Sequence, residues 1–235
     1  MQFDIHTHTI ASGHGTSCTI ADMAKAARAA GLSLLGISDH GPATPCAGTV
    51  SYFRSLFSAP RYRCGIRLLY GAELNILDEN GQVDLEDEIL SRLDFAIISM
   101  HIQNRKPGSR SENTRAYIAA MEHPRVKLIG HCDDVKYPVD YRRLVAAARE
   151  HRVLLELNEA SLTPSGYRGD TLENDREMLR WCRRYRQPIV LSSDSHGPAG
   201  VGGFSRGLRL LEEERFPPEL VLNYRMAALL AYLEL

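Results

Sequence analysis

The sequence predicts an α/β fold: a closed or nearly closed barrel of parallel strands, each followed by helix. Three observations point to it. Short apolar runs alternate with longer amphipathic stretches along the chain, as strands and crossover helices do when they build one sheet. Several of the short runs are apolar without alternation, as expected of strands covered on both faces. No Ser/Gly/Pro linker divides the chain, and neither G-x-G-x-x-G nor a Walker-type loop is present, which removes support for a nucleotide-binding open sheet. A single domain over residues 1–235 is expected, with about one strand fewer than the usual eight.

The strand-like segments are Gln2–Ile5, Leu32–Ser38, Arg67–Ala72, Phe95–Ser99, Val126–Gly130, Val153–Leu157 and Pro188–Ser192. Thr19 is placed to cap an Ala-rich helix that stops at Gly31. Helical patterns follow at Val50–Phe57, Ser111–Met121, Tyr141–His151 and Leu172–Tyr185, then at Leu208–Glu214 and Arg225–Leu233. Asn80-Gly81 within Ile76–Val83 reads as a hairpin turn inserted after the third strand.

Composition narrows the function. The chain has 235 residues, 44% hydrophobic and 24% charged, enough to bury a core without covalent staples. A net charge of −1 gives no global reason to expect a nucleic-acid or membrane partner. The cysteines at 18, 46, 64, 132 and 182 form no CxxC pair, which fits a reducing compartment. No apolar run approaches the ~20 residues of a membrane helix. The start, Met-Gln-Phe-Asp-Ile-His, has no basic n-region followed by an apolar stretch, so no signal peptide is expected. A cytoplasmic location is expected.

The histidines carry the chemistry. His6 and His8 flank one residue at the end of the first strand, and His14 follows in the loop. His40 follows the second strand, Glu73 ends the third, His101 follows the fourth and His131 ends the fifth. Asp194 and His196 flank one residue after the seventh. Seven of the nine histidines thus share one end of successive strands with an Asp and a Glu, and only His123 and His151 lie elsewhere. The carboxyl ends of parallel strands share one face, where sites are built. Residues i and i+2 on a strand point the same way. If the sheet closes, His6/His8 and Asp194/His196 therefore meet. Imidazole and carboxylate suit Zn, Mn or Fe. Nine such groups exceed the needs of one ion, so two or three are implied. Asp4 and Asp39 are placed to accept hydrogen bonds from ligand histidines. Cys132 is read as a buried residue facing away, and Asp133-Asp134 as a turn.

The opening Asp4-Ile5-His6-Thr7-His8-Thr9, with Ser12 and His14, resembles the first motif of the PHP (polymerase and histidinol phosphatase) superfamily. Ser38-Asp39-His40-Gly41-Pro42, Gly71-Ala72-Glu73, Met100-His101, Gly130-His131 and Ser193-Asp194-Ser195-His196 resemble its later motifs in order. Chain length and Leu155-Glu156-Leu157-Asn158 look most like the YcdX-like branch of small phosphatases. The resemblance implies a distorted (βα)7, TIM-barrel-like fold and three divalent ions, commonly zinc. It implies His6, His8, Glu73 and Asp194 around one ion, Glu73, His101 and His131 around a second, and His14, His40 and His196 around a third. Cys132 stands where the family often has Pro, and Ile102 where near relatives often have an acidic residue.

The implied activity is hydrolysis of a small phosphate monoester by metal-activated water, with Glu73 and Asp194 as the catalytic carboxylates. Either Asp194 or a histidine of the site would pass a proton to the leaving group. Arg168, after the sixth strand, is the leading candidate to bind phosphate, and Arg105, Arg110 and Arg206 are on the same face. The alternatives are a histidinol-phosphate phosphatase of histidine biosynthesis and a metal-binding regulatory barrel without turnover. An exonuclease is weakened by the lack of aromatics interleaved with Lys/Arg.

Overall fold

The computed structural model describes residues 1–164 and 166–235; Ser165, in the loop carrying Arg168, lies outside the described residues. The strands are β1 (Phe3–Asp4), β2 (Leu34–Ile37), β3 (Tyr62–Arg63), β4 (Ile66–Asn75), β5 (Phe95–Ser99), β6 (Val126–Ile129), β7 (Leu154–Asn158) and β8 (Ile189–Ser192). Seven of them run parallel in the order β1-β2-β4-β5-β6-β7-β8, and β3 pairs antiparallel with β4. The helices are α1 (Ile20–Ala29), α2 (Val50–Ser55), α3 (Asp87–Leu90), α4 (Arg110–Ala120), α5 (Tyr141–Glu150), α6 (Leu172–Tyr185), α7 (Ser205–Glu213) and α8 (Met226–Leu233). This is a nearly closed, distorted seven-stranded barrel of the TIM type. Among the described residues, no helix is long and apolar enough to cross a membrane.

The apolar runs lack alternation because both faces of each strand are buried. Leu34, Leu69, Ile97, Leu128, Leu154 and Val190 fill the barrel interior. Their neighbours Leu35, Leu68, Ile98, Ile129, Leu155 and Leu191 pack outward under the helices. Helix α8 adds Leu229 and Leu233 to the interior cluster. The Met226 amide beside it donates to the Gln2 side chain at 2.6 Å, so α8 covers the amino end of the barrel, opposite the histidines.

Local signals in the sequence match where the chemistry is short-range. Thr19 caps α1 in a reciprocal capping box with Asp22, and Gly31 takes φ +76° just beyond the helix. Ile76 bridges Val83 antiparallel, and Gly81 takes φ +78° in the turn. Three features differ from expectation. Strand β4 runs on to Asn75, so Glu73 sits inside it. The short β3 and α3 were not expected, because two-residue and four-residue elements leave no periodicity to read. Helix α7 begins at Ser205, three residues before the expected Leu208.

The barrel seam is closed by a side chain. Among the described residues, no continuous ladder joins β1 to β8; a single bridge, Thr7 to Ser195, pairs them above the strands. Below it, the fully buried Asn223 receives the Leu191 amide at 2.8 Å and donates to Phe3 O at 3.2 Å and Leu191 O at 2.8 Å. Its carboxamide thus replaces the missing backbone pairing between the first and last strands. Asn223→Ala leaves those buried groups unpaired, each worth ~1–3 kcal/mol. Urea unfolding should show a loss of roughly 2–5 kcal/mol. A loss below about 1 kcal/mol would mean that the seam holds without this residue.

Candidate metal centre

All nine expected side chains stand at the carboxyl end of the barrel, and most surround one carboxylate. Glu73 is fully buried. Its Oε2 lies 2.6 Å from His40 Nδ1, 3.4 Å from His6 Nε2 and 3.6 Å from His8 Nε2. Its Oε1 lies 2.8 Å from His131 Nε2 and 3.3 Å from His101 Nε2. The two oxygens therefore face two different sets of imidazoles. Across the seam, Asp194 Oδ1 lies 3.1 Å from His8 Nε2 and 3.6 Å from His6 Nε2. His196 stacks on His8 at 4.1 Å between centroids. His14 is exposed, its ring 4.9 Å from that of His40 and 5.0 Å from that of His196.

Several histidines are oriented from behind. His6 Nδ1 meets Glu156 Oε1 at 2.7 Å. His8 Nδ1 meets Ser12 Oγ at 2.9 Å, and Ser12 donates in turn to Asp39 at 2.7 Å. His101 Nδ1 meets Asn75 Oδ1 at 2.7 Å, and the Asn75 amide donates to Asp84 at 2.6 Å. In each case an oxygen takes the Nδ1 proton and turns the Nε2 lone pair inward. The His131 amide donates to Glu156 Oε2 at 2.7 Å. His131 and Asp194 take left-handed backbone, φ +25° and +53°, a conformation side chains other than glycine rarely adopt without support.

Burial alone would raise the Glu73 carboxyl, but His40, His101 and His6 hold it well below the usual carboxylate range. Burial likewise opposes ionisation of Asp194, and His6 and Arg168 outweigh it. Burial and the neighbouring His40 and His196 hold His8 well below the ordinary imidazole value. Burial, opposed by Glu73, brings His101 down to about 4. Burial opposes charge on His6 and His40, but Glu156, Asp194 and Glu73 push His6 well above the ordinary imidazole value, and Glu73 raises His40. Ionised carboxylates thus stand beside both protonated and neutral imidazoles, and a metal ion binding there would displace the imidazole protons.

A divalent ion fits this donor set. His6 Nε2, His40 Nδ1, His196 Nε2 and Glu73 Oε2 are buried with no hydrogen-bond partner, although they face other donors or acceptors a few ångströms away. Buried lone pairs aimed at one another are costly unless something positive lies between them. Among the described residues, His6/His8/Asp194, His8/His40/His196 and His40/Glu73/His101 each bring three ligand atoms within 4.8 Å of one another. His8 thus stands where the resemblance puts His14, and His40 where it puts His131.

The other expectations sort by geometry. Cys132 is buried with Sγ 3.8 Å from Met178 Sδ, away from the site. Asp39 reaches His8 only through Ser12. Asp4 accepts from the Ser193 and Gly202 amides, at 3.2 and 3.0 Å, and from no imidazole nitrogen. Asp134 pairs with Lys136 at 3.3 Å, while the buried Asp133 accepts from Ser161 at 3.1 Å. Arg110 donates to Val139 O and Arg206 to Glu159. Arg105 does not line the cavity over the histidines, whereas Arg168 does. Its Nη2 donates to Asp194 Oδ2 at 2.7 Å. In the sequence Glu156 enters only through the resemblance of Leu155-Glu156-Leu157-Asn158, and Asn75 carries no assigned role. They lie in strands β7 and β4, and a polar residue inside an otherwise apolar strand was the available signal.

The PHP domain family model matches residues 4–161. A "probable phosphatase" of Acetivibrio thermocellus is 41% identical over 220 residues, 94% of this chain and 90% of the relative. One from Clostridium novyi is 36% identical over 231 residues, 98% and 93% of the two chains. In fold, the chain resembles a histidinol phosphate phosphatase of Lactococcus lactis solved with zinc, L-histidinol and phosphate. The TM-score is 0.61 at 15% identity, covering 92% of this chain and 94% of that one. A putative histidinol phosphatase of Listeria monocytogenes gives 0.63 at 18%, covering 87% and 99%.

Glu156 grips both the His6 ring and the His131 amide, so Glu156→Gln should weaken zinc binding roughly 10–100-fold in a competition titration with a chromogenic chelator. An unchanged affinity would mean that His6 is oriented by something else.

Proposed function

The chain belongs to the PHP domain family and is a metal-dependent phosphatase; from that premise we propose that it hydrolyses a small phosphate monoester with water activated at the histidine–carboxylate cluster. Residues 1–235 act as one domain in this scheme. The observation that carries it is the convergence of buried, partnerless ring nitrogens on a carboxylate whose two oxygens face separate imidazole sets. His6, His8, His14, His40, Glu73, His101, His131, Asp194 and His196 would hold three divalent ions. A set rich in imidazole favours zinc and accommodates manganese or iron. Bound there, such ions offset the repulsion between an anionic ester and its nucleophile, and lower the pKa of coordinated water towards ~7.

The chain's own residues supply the rest. Glu73, held ionised against its burial by its histidines, would hold metal through its two oxygens, which face separate imidazole sets. Asp194, kept ionised by His6 and Arg168 against its burial, or a histidine of the site would relay the proton of the attacking water to the leaving-group oxygen, so that the products are phosphate and the neutral alcohol. Arg168 presents a planar guanidinium to the cavity, suited to two parallel hydrogen bonds with phosphate oxygens. Its bond to Asp194 fixes the fork before substrate arrives, which lowers the ordering cost of binding. The buried Glu73 and His6 are screened from bulk water, so the charges act at reduced dielectric.

Phosphate release from p-nitrophenyl phosphate, measured on metal-loaded protein with and without chelator, tests the assignment. Arg168→Ala should retain its metal while kcat/KM falls roughly 10–100-fold, about 1.4–2.8 kcal/mol of transition-state binding, and Arg168→Lys should recover only part. Wild-type kinetics in Arg168→Ala would remove this residue from phosphate binding. Chelator-insensitive turnover would contradict the metal-dependent mechanism.

A further inference from the structure

The cavity over the histidines, about 300 Å³, has a floor and a wall of different chemistry. The floor is made of His14, His40, His101, Asp194, His196 and Arg168, all charged or metal-ligating types. The wall is made of Thr44, Pro45, Gln103, Asp134 and Tyr167. Asp134 is the one acid of that wall, and Lys136 Nζ stands 3.3 Å from each of its oxygens, so the wall is close to neutral. Lys136 also donates to Tyr167 O at 2.6 Å and lies 4.0 Å from the centre of the Tyr167 ring. The ammonium thus covers one face of the ring and holds it at the cavity edge, although Tyr167 is 64% exposed. The loop is tied down a second time, by Val135 N donating to Arg168 O at 3.3 Å. A tethered aromatic ring left in water beside a charged floor is an arrangement that a second flat group completes.

We propose that this wall selects the leaving group: the substrate carries one phosphate on a compact, uncharged ring that stacks on Tyr167 and Pro45. The inference deepens the phosphatase assignment above and rests on it. Charge supports it. A second phosphate would meet Asp134 and find no cation free to receive it. Among the described residues lining the cavity, Arg168 is the one permanent cation, and it already serves the floor. Tyr167 is therefore a specificity residue, not a catalytic one.

Binding and turnover can be separated with phosphonates, which have no hydrolysable ester bond. Calorimetry on metal-loaded protein should show phenylphosphonate binding about tenfold more tightly than methylphosphonate. Tyr167→Ala should remove most of that preference and Tyr167→Phe should keep it. In parallel, kcat/KM should be higher for phenyl phosphate than for glycerol 2-phosphate or a hexose bisphosphate. Tyr167→Ala should lower it about tenfold for phenyl phosphate and by less than threefold for glycerol 2-phosphate. Equal binding of the two phosphonates, a preference that survives Tyr167→Ala, or a bisphosphate hydrolysed best would overturn the proposal. A tyrosine-dependent phosphonate preference without hydrolysis of any ester would uphold the ring-binding wall and sink the phosphatase assignment instead.

Discussion

Glu73 is a fully buried carboxylate with the ring nitrogens of five histidines within 3.6 Å of its oxygens. A carboxylate cannot be ionised in an apolar interior without compensating positive charge, and His40, His101 and His6 are the groups that supply it to Glu73. Much of the architecture follows from satisfying that one group. His6 and His8 come from the end of β1, His40 from beyond β2, His101 from beyond β5 and His131 from beyond β6. The barrel must bend into closure for these rings to meet. The left-handed backbone of His131 and Asp194 is sustained by the same demand, since each residue must turn its side chain over the barrel mouth immediately after its strand.

The seam shows how closure and chemistry depend on each other. Strands β1 and β8 carry the His6/His8 and Asp194/His196 pairs, and they are the two strands that lack a mutual ladder. Asn223 joins them below, and the Thr7–Ser195 bridge joins them above. The His8–Asp194 contact at 3.1 Å then crosses the gap at the height of the site. A site that straddles a seam draws its side chains from both chain ends, and ions held there would also tie the barrel together.

Much of this was legible in the sequence. Ligand-type residues recur one strand length plus one helix apart, and parallel strands present their carboxyl ends on one face. That periodicity puts all nine side chains at one end of the barrel. Arg168 follows the one strand whose end offers no candidate ligand, and it lines the cavity. The orienting partners were less legible. Glu156 and Asn75 act through contacts between strands that are distant in sequence, 150 residues apart for Glu156 and His6, and no local spacing encodes such pairs. Asn223 was invisible for the same reason: it sits in a short turn before α8, and its role exists only because the seam lacks a ladder. The expected link from Asp4 to a ligand imidazole failed because its carboxylate is taken up by the Ser193 and Gly202 amides of the seam.

If Glu73 divides its two oxygens between separate ions, removing one oxygen should cost bound metal. Elemental analysis of metal-replete protein, wild type beside Glu73→Gln, tests it most directly. The amide preserves the shape of the side chain but loses its charge and offers a single oxygen. The account predicts more than one divalent ion per chain in the wild type and at least one fewer in Glu73→Gln, with the far-UV circular dichroism of the two proteins alike. One ion or fewer in the wild type after reconstitution, or the same metal content in both proteins, would contradict it.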